Sequence, residues 1–451
     1  MTEVMRATKS FYFSSTGCLR TSRARKRVYN YFRANGFSLA AHSREADILV
    51  VDTCAYCLKT EQDSLALVAG LVEQKNRDAK VVVIGCITKI NPDSLSGLGD
   101  VVMMTPQTMA CLDQLINATV PFKSINPDGV VWMPGDLQRA YGASHCSRLL
   151  PKPFKVWTLR MLRRIFPFTW KTKFPNLYKK IRLASFELAR DVLVGEESLR
   201  QGIYHLEVAT GCVSHCSYCA VRNVWGEMTS RPMEDIISEF EQALKAGYQI
   251  FALDAQDLGA YGRDRGDNIM YLLEKIFAVE GAYRLMLHDF NPQWLVKFYP
   301  QLVALLQKNA KRIVYIDIPV QSGSNDILRR MRRPYTIEPV AACISDLKQQ
   351  IPGMAIEVDI MAGFPGESEA DFKRSLDFLK SLKKFRPVFL WTSGYTDRPG
   401  TEAQGMAGKM DPQVIEQRLH RCDALAWRYG FFTGDAISLL HQGMRQVGLS
   451  K

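Results

Sequence analysis

The chain has 451 residues, 47% hydrophobic and 23% charged, with a formal net charge of +12 and 11 cysteines. That length suggests about three domains with ample core material and excludes a mainly disordered chain. The cysteines are too dilute for a small disulfide scaffold, no run of about 18 uncharged apolar residues could span a membrane, and the N-terminal MTEVMRATKSFYFSSTGC lacks a secretory apolar stretch. The expected location is the cytoplasm, where reducing conditions favour metal-binding or catalytic cysteines over cystines.

Short β-branched runs open the chain. FYFSS (11–15), ADILVVD (46–52), KVVVIG (80–85) and DVVMM (100–104) predict strands, with helical patterns near 21–34 and 60–75. Strands of this kind separated by helices predict a parallel sheet covered on both faces, a flavodoxin-like doubly wound α/β domain over 1–120.

Seven prolines between Pro121 and Pro175 break the rhythm and predict an insertion or linker over 121–200. Within it, 148–182 holds eleven Lys or Arg and no acid, so the rest of the chain carries about one net positive charge. Phe154, Trp157, Phe166, Phe168, Trp170, Phe174 and Tyr178 interleave with those cations. The pattern suits an anionic polymer, an anionic membrane surface or a solvated helix docked by its rings. Arg160, Arg163 and Arg164 are the candidate substrate-binding residues there.

From 201 the alternation resumes. IYHLEVA (203–209), QIFALDA (249–255), YRLMLHD (283–289), RIVYIDIPV (312–320), AIEVDIMAG (355–363) and PVFLWTS (387–393) predict six β/α units over 201–430. Six such units form a barrel or partial barrel with function at the carboxyl ends of its strands. Residues 431–451 are expected to form a helical tail.

The cysteines sort by position. Cys18, Cys54 and Cys86 each follow a predicted strand by one to three residues, so their loops share one sheet edge. Three thiolates there leave a fourth position open and suit an iron–sulfur cluster. Cys57 is either a fourth ligand or a bystander, and bystander is favoured. Cys212, Cys216 and Cys219 form C-x3-C-x2-C after the first strand of the second array; zinc with His215 is the alternative to an iron–sulfur cluster. Cys111, Cys146, Cys343 and Cys422 have no partner spacing and read as apolar filler. His145 beside Cys146 reads as structural or exposed.

With ATGCVSHCSYCAV (209–221) the chain resembles radical S-adenosylmethionine (SAM) enzymes. With STGC, VVDTC, VVIGC, SRP (230–232), AQDLGAYG, PVQSGS, LRRMRR, GFPGE and YTDRPGTEA it is similar to the radical SAM methylthiotransferases, which act on tRNA adenosines or a ribosomal-protein aspartate. The resemblance covers about 18–120 and 201–402. It implies two 4Fe–4S clusters and SAM: Cys212, Cys216 and Cys219 on the SAM cluster, and Cys18, Cys54 and Cys86 on an auxiliary cluster. It places Tyr218, Gln256, Asp257, Gln321, Ser322, Gly363, Phe364 and Pro365 around SAM. It implies that an electron from an external donor cleaves SAM to an adenosyl radical, and that a C–H bond becomes C–SCH3. No acid–base residue is assigned.

Four features depart from that family. The run after Cys18 is CLRTSRARK, without the usual asparagine. Asp52 stands where asparagine is usual, and the spacing from Cys86 to Cys212 is long. Residues 403–451 read as helical, so the small C-terminal TRAM barrel usual in that family is expected to be absent. AQD and YIDIP lean toward protein modification, whereas DLGAYGRDRG, PVQSGS and RPGTEA lean toward tRNA. The expectation leans slightly to a polypeptide or peptide natural product, with tRNA adenosine as the alternative. A radical SAM enzyme of another reaction class, with an electron-transfer auxiliary cluster, is a further alternative.

Overall fold

A computed structural model describes residues 9–16, 22–126 and 203–433. Cys18, His145, Cys146, the basic segment 148–182 with Arg160, Arg163 and Arg164, and the tail beyond 433 lie outside the described residues. The chain forms two compact units. Two segments from the region of the second sequence array, Thr210–Thr229 and Thr396–Gly405, pack with the N-terminal residues in the first unit.

The first unit is built on β1 (Ser10–Ser15), β2 (Ser38–Leu39), β3 (Ile48–Thr53), β4 (Lys80–Gly85) and β5 (Val101–Met103). All pairings are parallel and the order is β2-β1-β3-β4-β5. This is the flavodoxin-like order, whose topological switch falls between β1 and β3. All six residues of β3 and five of six in β4 are buried, as expected when helices cover both faces. Helix α1 (Ser22–Ala34) turns Phe32 onto Phe11 with ring centroids 4.8 Å apart. Helix α2 (Leu58–Gln74) buries Val68 and Leu71 against Leu49, Val51, Val81 and Val83. Short α3 (Ile87–Ile90) and α4 (Leu112–Ile116) complete the N-terminal part, and α5 (Val221–Trp225) adds Ala220 and Val224 to the same core.

Among its described residues the second unit holds seven parallel strands in chain order: β6 (Ile203–Glu207), β7 (Ile250–Asp254), β8 (Arg284–Leu287), β9 (Ile313–Gln321), β10 (Ala355–Ala362), β11 (Val388–Gly394) and β12 (Phe432–Thr433). Among the described residues β12 does not pair with β6, so the array is an open, partial barrel. Helices α6 (Met233–Lys245), α7 (Ile269–Ala278), α8 (Pro292–Lys308), α9 (Asn325–Arg330), α10 (Ile337–Gln350), α11 (Glu369–Ser381) and α12 (Pro412–Tyr429) run between the strands. Their starts are legible: Asn268 and Asn291 accept backbone N–H groups at α7 and α8, and Ser368 with Asp371 forms a capping box on α11. At the amino ends of β10 and β11, buried Lys348 donates to the carbonyls of Pro352, Met354 and Arg386 at 2.7, 2.5 and 2.9 Å. Gly430, in the left-handed region, ends α12 and returns the chain to pair beside β11. Residues 432–433 are thus an edge strand rather than the start of a helical tail.

One backbone position decides the carboxyl edge of the first sheet. Gly85 has φ +96°, and a Cβ there would lie 2.3 Å from the Thr53 carbonyl oxygen and 2.6 Å from Asp52 Oδ1. Gly85→Ala should cost about 2–4 kcal/mol in urea unfolding, from left-handed strain plus overlap with fixed backbone. Gly70→Ala, on α2 with open space around its position, should instead stabilise by about 0.5–1 kcal/mol. Equal midpoints for the two variants would contradict this account of the edge.

Candidate active site

The ends of β1, β3 and β4 are tied together by short hydrogen bonds. Thr16, two residues before Cys18, donates its N–H to the Asp52 carbonyl at 2.8 Å. Its hydroxyl lies 2.5 Å from Ser64 Oγ. Ser64, fully buried on α2, accepts the Cys54 N–H at 3.0 Å. The Cys86 N–H donates to the Thr53 carbonyl at 2.9 Å, across the space that Gly85 leaves open. Cys54 and Cys86 therefore leave adjacent strand ends at one edge, and the chain toward Cys18 leaves the third. Cys54 is buried and Cys86 half-buried. Cys57 caps α2 and bonds within that turn to Thr60.

Two departures from the family pattern meet here. Asp52 is buried, accepts from Ser15 Oγ at 3.0 Å, and faces the Arg25 guanidinium at 3.6 Å. The carboxylate is tolerated in the interior because the cation in the altered run balances it.

The second cysteine set stands on a constrained loop in the same unit. Gly211 has φ +76°, and a Cβ would meet the Glu227 carbonyl oxygen at 2.1 Å. The Cys212 N–H donates to the Gly226 carbonyl at 3.4 Å, and the Cys219 N–H to the Cys216 carbonyl at 3.2 Å. Cys212 Sγ accepts the Ser214 N–H at 3.3 Å, which fixes the direction of the side chain. His215 is exposed with its ring nitrogens 3.1 and 2.5 Å from Arg222 Nη1. Its proximity to a permanent cation weakens the zinc alternative. Three thiols brought onto one short turn, held by the Gly211 backbone and the Cys219–Cys216 hydrogen bond, fit an iron–sulfur cluster.

In the second unit the residues implied in SAM binding cluster at strand carboxyl ends. Gln256, two residues past β7, has both amide atoms buried with no hydrogen-bond partner among the described residues, a position that a polar ligand would satisfy. Asp257 is buried and begins the turn Leu258–Ala260. Gln321 ends β9 at φ +69°, a strained position for a side-chain-bearing residue. Ser322 is fully buried, its hydroxyl accepting from the Ser324 N–H at 3.1 Å and lying 3.4 Å from Ser375. Gly363 has φ +83°, and Ile415 on α12 fills the place of a Cβ at 2.4 Å. Its N–H donates to Glu367 Oε2 at 2.7 Å, while burial raises the Glu367 pKa despite the adjacent Arg418. Phe364 is buried edge-on to Tyr395. Pro365 follows it, and Tyr218 is half-buried in the first unit.

A feature missed in the sequence is a set of buried acids inside the partial barrel. Asp317 on β9 is in register with Glu357 on β10, and Asp359 lies two residues on, on the same face. Donor atoms of His288, Asp289 and Asp317 lie within 4.8 Å of one another, as do those of Asp317, Glu357 and Asp359. Tyr315 donates to Glu357 at 2.8 Å, and His205 lies 2.7 Å from buried Asp254. The signal was present as acids in the runs LHD, YID and EVD.

Comparison with known proteins decides the family. Residues 206–379 match the model described as "Radical SAM superfamily", and residues 10–105 match "Uncharacterized protein family UPF0004". A Pyrococcus horikoshii protein described as "Probable threonylcarbamoyladenosine tRNA methylthiotransferase" is 30% identical over 413 residues, 91% of this chain and 83% of that protein. The chain belongs to the radical SAM methylthiotransferase family. The ribosomal protein uS12 methylthiotransferase RimO of Carboxydothermus hydrogenoformans is 28% identical, covering 91% and 81%. The solved radical SAM methyltransferase TsrM of Kitasatospora setae shares the fold with a TM-score of 0.54 at 11% identity, covering 88% and 77%. This methylthiotransferase is an enzyme whose cofactors are SAM and two 4Fe–4S clusters. Among its described residues no helix is long and apolar enough to cross a membrane.

The Asp52–Arg25 balance is open to a double-mutant cycle. Arg25→Gln alone should cost about 3 kcal/mol by stranding a buried carboxylate, and Arg25→Gln with Asp52→Asn should return to within about 1 kcal/mol of the parent. Additive costs in thermal unfolding would show that the two groups act independently.

Proposed function

We propose that this methylthiotransferase replaces an unactivated C–H of a tRNA adenosine with C–SCH3. In this reading Cys212, Cys216 and Cys219 hold the cluster that binds SAM. Cys18, Cys54 and Cys86 hold the auxiliary cluster. Residues 1–120 form the auxiliary-cluster domain and 201–430 the radical SAM domain. The observation that carries it is the bond from Cys86 N–H to the Thr53 carbonyl, which brings two cysteine loops to one edge in the unit that also contains the C-x3-C-x2-C turn.

When bound, SAM and its cluster supply a carbon radical able to take hydrogen from a C–H bond that no side-chain base could deprotonate at neutral pH, and the second cluster supplies sulfur. The protein's own share is positional. Burial of Cys54 keeps water from its sulfur, and Ser64 fixes the loop that carries it. The Gln256 amide offers one donor and one acceptor direction to a polar ligand. Glu367 holds the Gly363 N–H, so the loop 363–367 keeps one shape. An external electron donor is required.

The tRNA assignment draws on the Pyrococcus relative and on the basic, aromatic segment 148–182, whose cations suit phosphates. A polypeptide substrate is the second reading. It is favoured by buried Asp317, Glu357 and Asp359, which repel phosphate and suit a cationic side chain.

The test is anaerobic turnover with reductant, SAM and either total tRNA or polypeptide from the same cells. Mass spectrometry should find CH3S in place of H on an adenosine. The same gain on a polypeptide with none on tRNA overturns the tRNA reading, and any other mass change overturns the sulfur reading. Replacing Arg160, Arg163 and Arg164 by Gln should weaken tRNA capture by about tenfold or more at moderate salt and flatten its salt dependence, with cluster iron retained. Unchanged binding would mean that the segment does not touch the substrate.

A further inference from the structure

We propose that Arg398 and Glu61 are a positioning pair that sets the offset between the two cysteine sets; the inference rests on the cluster assignments above. Both side chains are buried in the first unit, and Arg398 Nη1 is bonded to Glu61 Oε2. Arg398 Nη2 also donates to Thr396 Oγ1 at 3.2 Å.

Each partner is rooted beside a different cysteine set. Glu61 stands on α2 one turn past Cys57 and three residues before Ser64, which grips Cys54. Its other oxygen accepts from Asn91 Nδ2 at 2.7 Å, and Asn91 ends the short helix that begins at Cys86. Glu61 therefore joins the supports of both Cys54 and Cys86.

Arg398 begins the stretch that ends at the other set. Five residues on, the Ala403 N–H donates to the carbonyl of Ser217 at 2.8 Å, inside the turn between Cys216 and Cys219. Between them, the Gly400 carbonyl accepts from Asn223 Nδ2 at 3.4 Å, on the helix that follows Cys219. Residues 398–403 thus form a strut from the Cys54 and Cys86 supports to the Cys216–Cys219 turn.

A buried ion pair is a poor way to gain stability, because taking two charges out of water offsets most of their attraction. Two packed apolar side chains would give the chain comparable overall stability. A guanidinium adds direction, since two nitrogens of one rigid plane bond Glu61 and Thr396 at the same time. Registry is the best-attested use of such pairs. Radical chemistry makes registry valuable, because a misplacement of about 1 Å can cost a hundredfold in rate.

The test compares Arg398→Lys and the double variant Glu61→Met with Arg398→Met against the parent. The double variant leaves no buried charge, so it remains informative if the lysine variant folds poorly. We expect both to keep parental iron and a melting temperature near the parent's. The ratio of 5′-deoxyadenosine released to methylthio product should rise about tenfold, with KM for the macromolecular substrate little changed. The magnetic interaction between the two reduced clusters should change in the same samples. Amide hydrogen exchange of peptide 212–219 in the iron-free protein should speed up while strand 80–85 stays protected. Parental ratio, coupling and exchange in an iron-replete variant would overturn the pair's role. If the parent makes no methylthio product, the proposed function fails, and the coupling and exchange measurements still decide the positioning claim.

Discussion

The architecture depends on one steric condition: residue 85 carries no side chain. With a Cβ in that place, the backbone after β4 could not lie against Thr53, and Cys86 could not donate to its carbonyl. Parallel strands send successive loops to a common edge, but they do not by themselves bring those loops into contact. Here contact is made by backbone groups and by Ser64, a buried hydroxyl that brackets Cys54 and reaches Thr16. The strand order puts the β1 and β3 loops on either side of the topological switch, where such sheets leave a crevice. Sulfur ligands from remote parts of the sequence can meet there without strain in any strand.

Charge is distributed with purpose. Outside 148–182 the chain is nearly neutral, yet the partial barrel buries Asp254, Asp257, Asp289, Asp317, Glu357 and Asp359. The excess of cations over acids lies in 148–182, whereas these six acids are buried in the strand array. In the first unit two buried carboxylates each face an arginine: Asp52 with Arg25 and Glu61 with Arg398. The first pair explains a substitution that looks adverse when read alone. Asp52 is acceptable because the altered run after Cys18 supplies its counter-charge.

Much of this was legible in the sequence, because buried parallel strands are continuous β-branched runs and ADILVVD and KVVVIG have no competing interpretation. The cysteine positions relative to those runs were equally plain. What escaped has physical causes. β2 is two residues, Ser38 and Leu39, too short to carry a periodic signal, and β12 is an edge pair set by the turn at Gly430. The grouping of Thr210–Thr229 and Thr396–Gly405 with the N-terminal residues is a matter of long-range packing, to which local pattern is blind. Ser322 matches the family motif, yet its hydroxyl braces its own loop. At Gly363 the missing Cβ makes room for Ile415, a long-range packing contact that the local sequence does not show.

The central claim is that this chain carries two independent clusters on two separate cysteine sets. Mössbauer spectroscopy of anaerobically prepared protein, loaded with isotope-enriched iron, tests it most directly. Cys86→Ala should delete one cluster and leave the other responsive to added SAM, and Cys219→Ala should delete the SAM-responsive cluster and spare its neighbour. Loss of both signals from either single substitution, or a parent protein with one cluster only, would contradict the account.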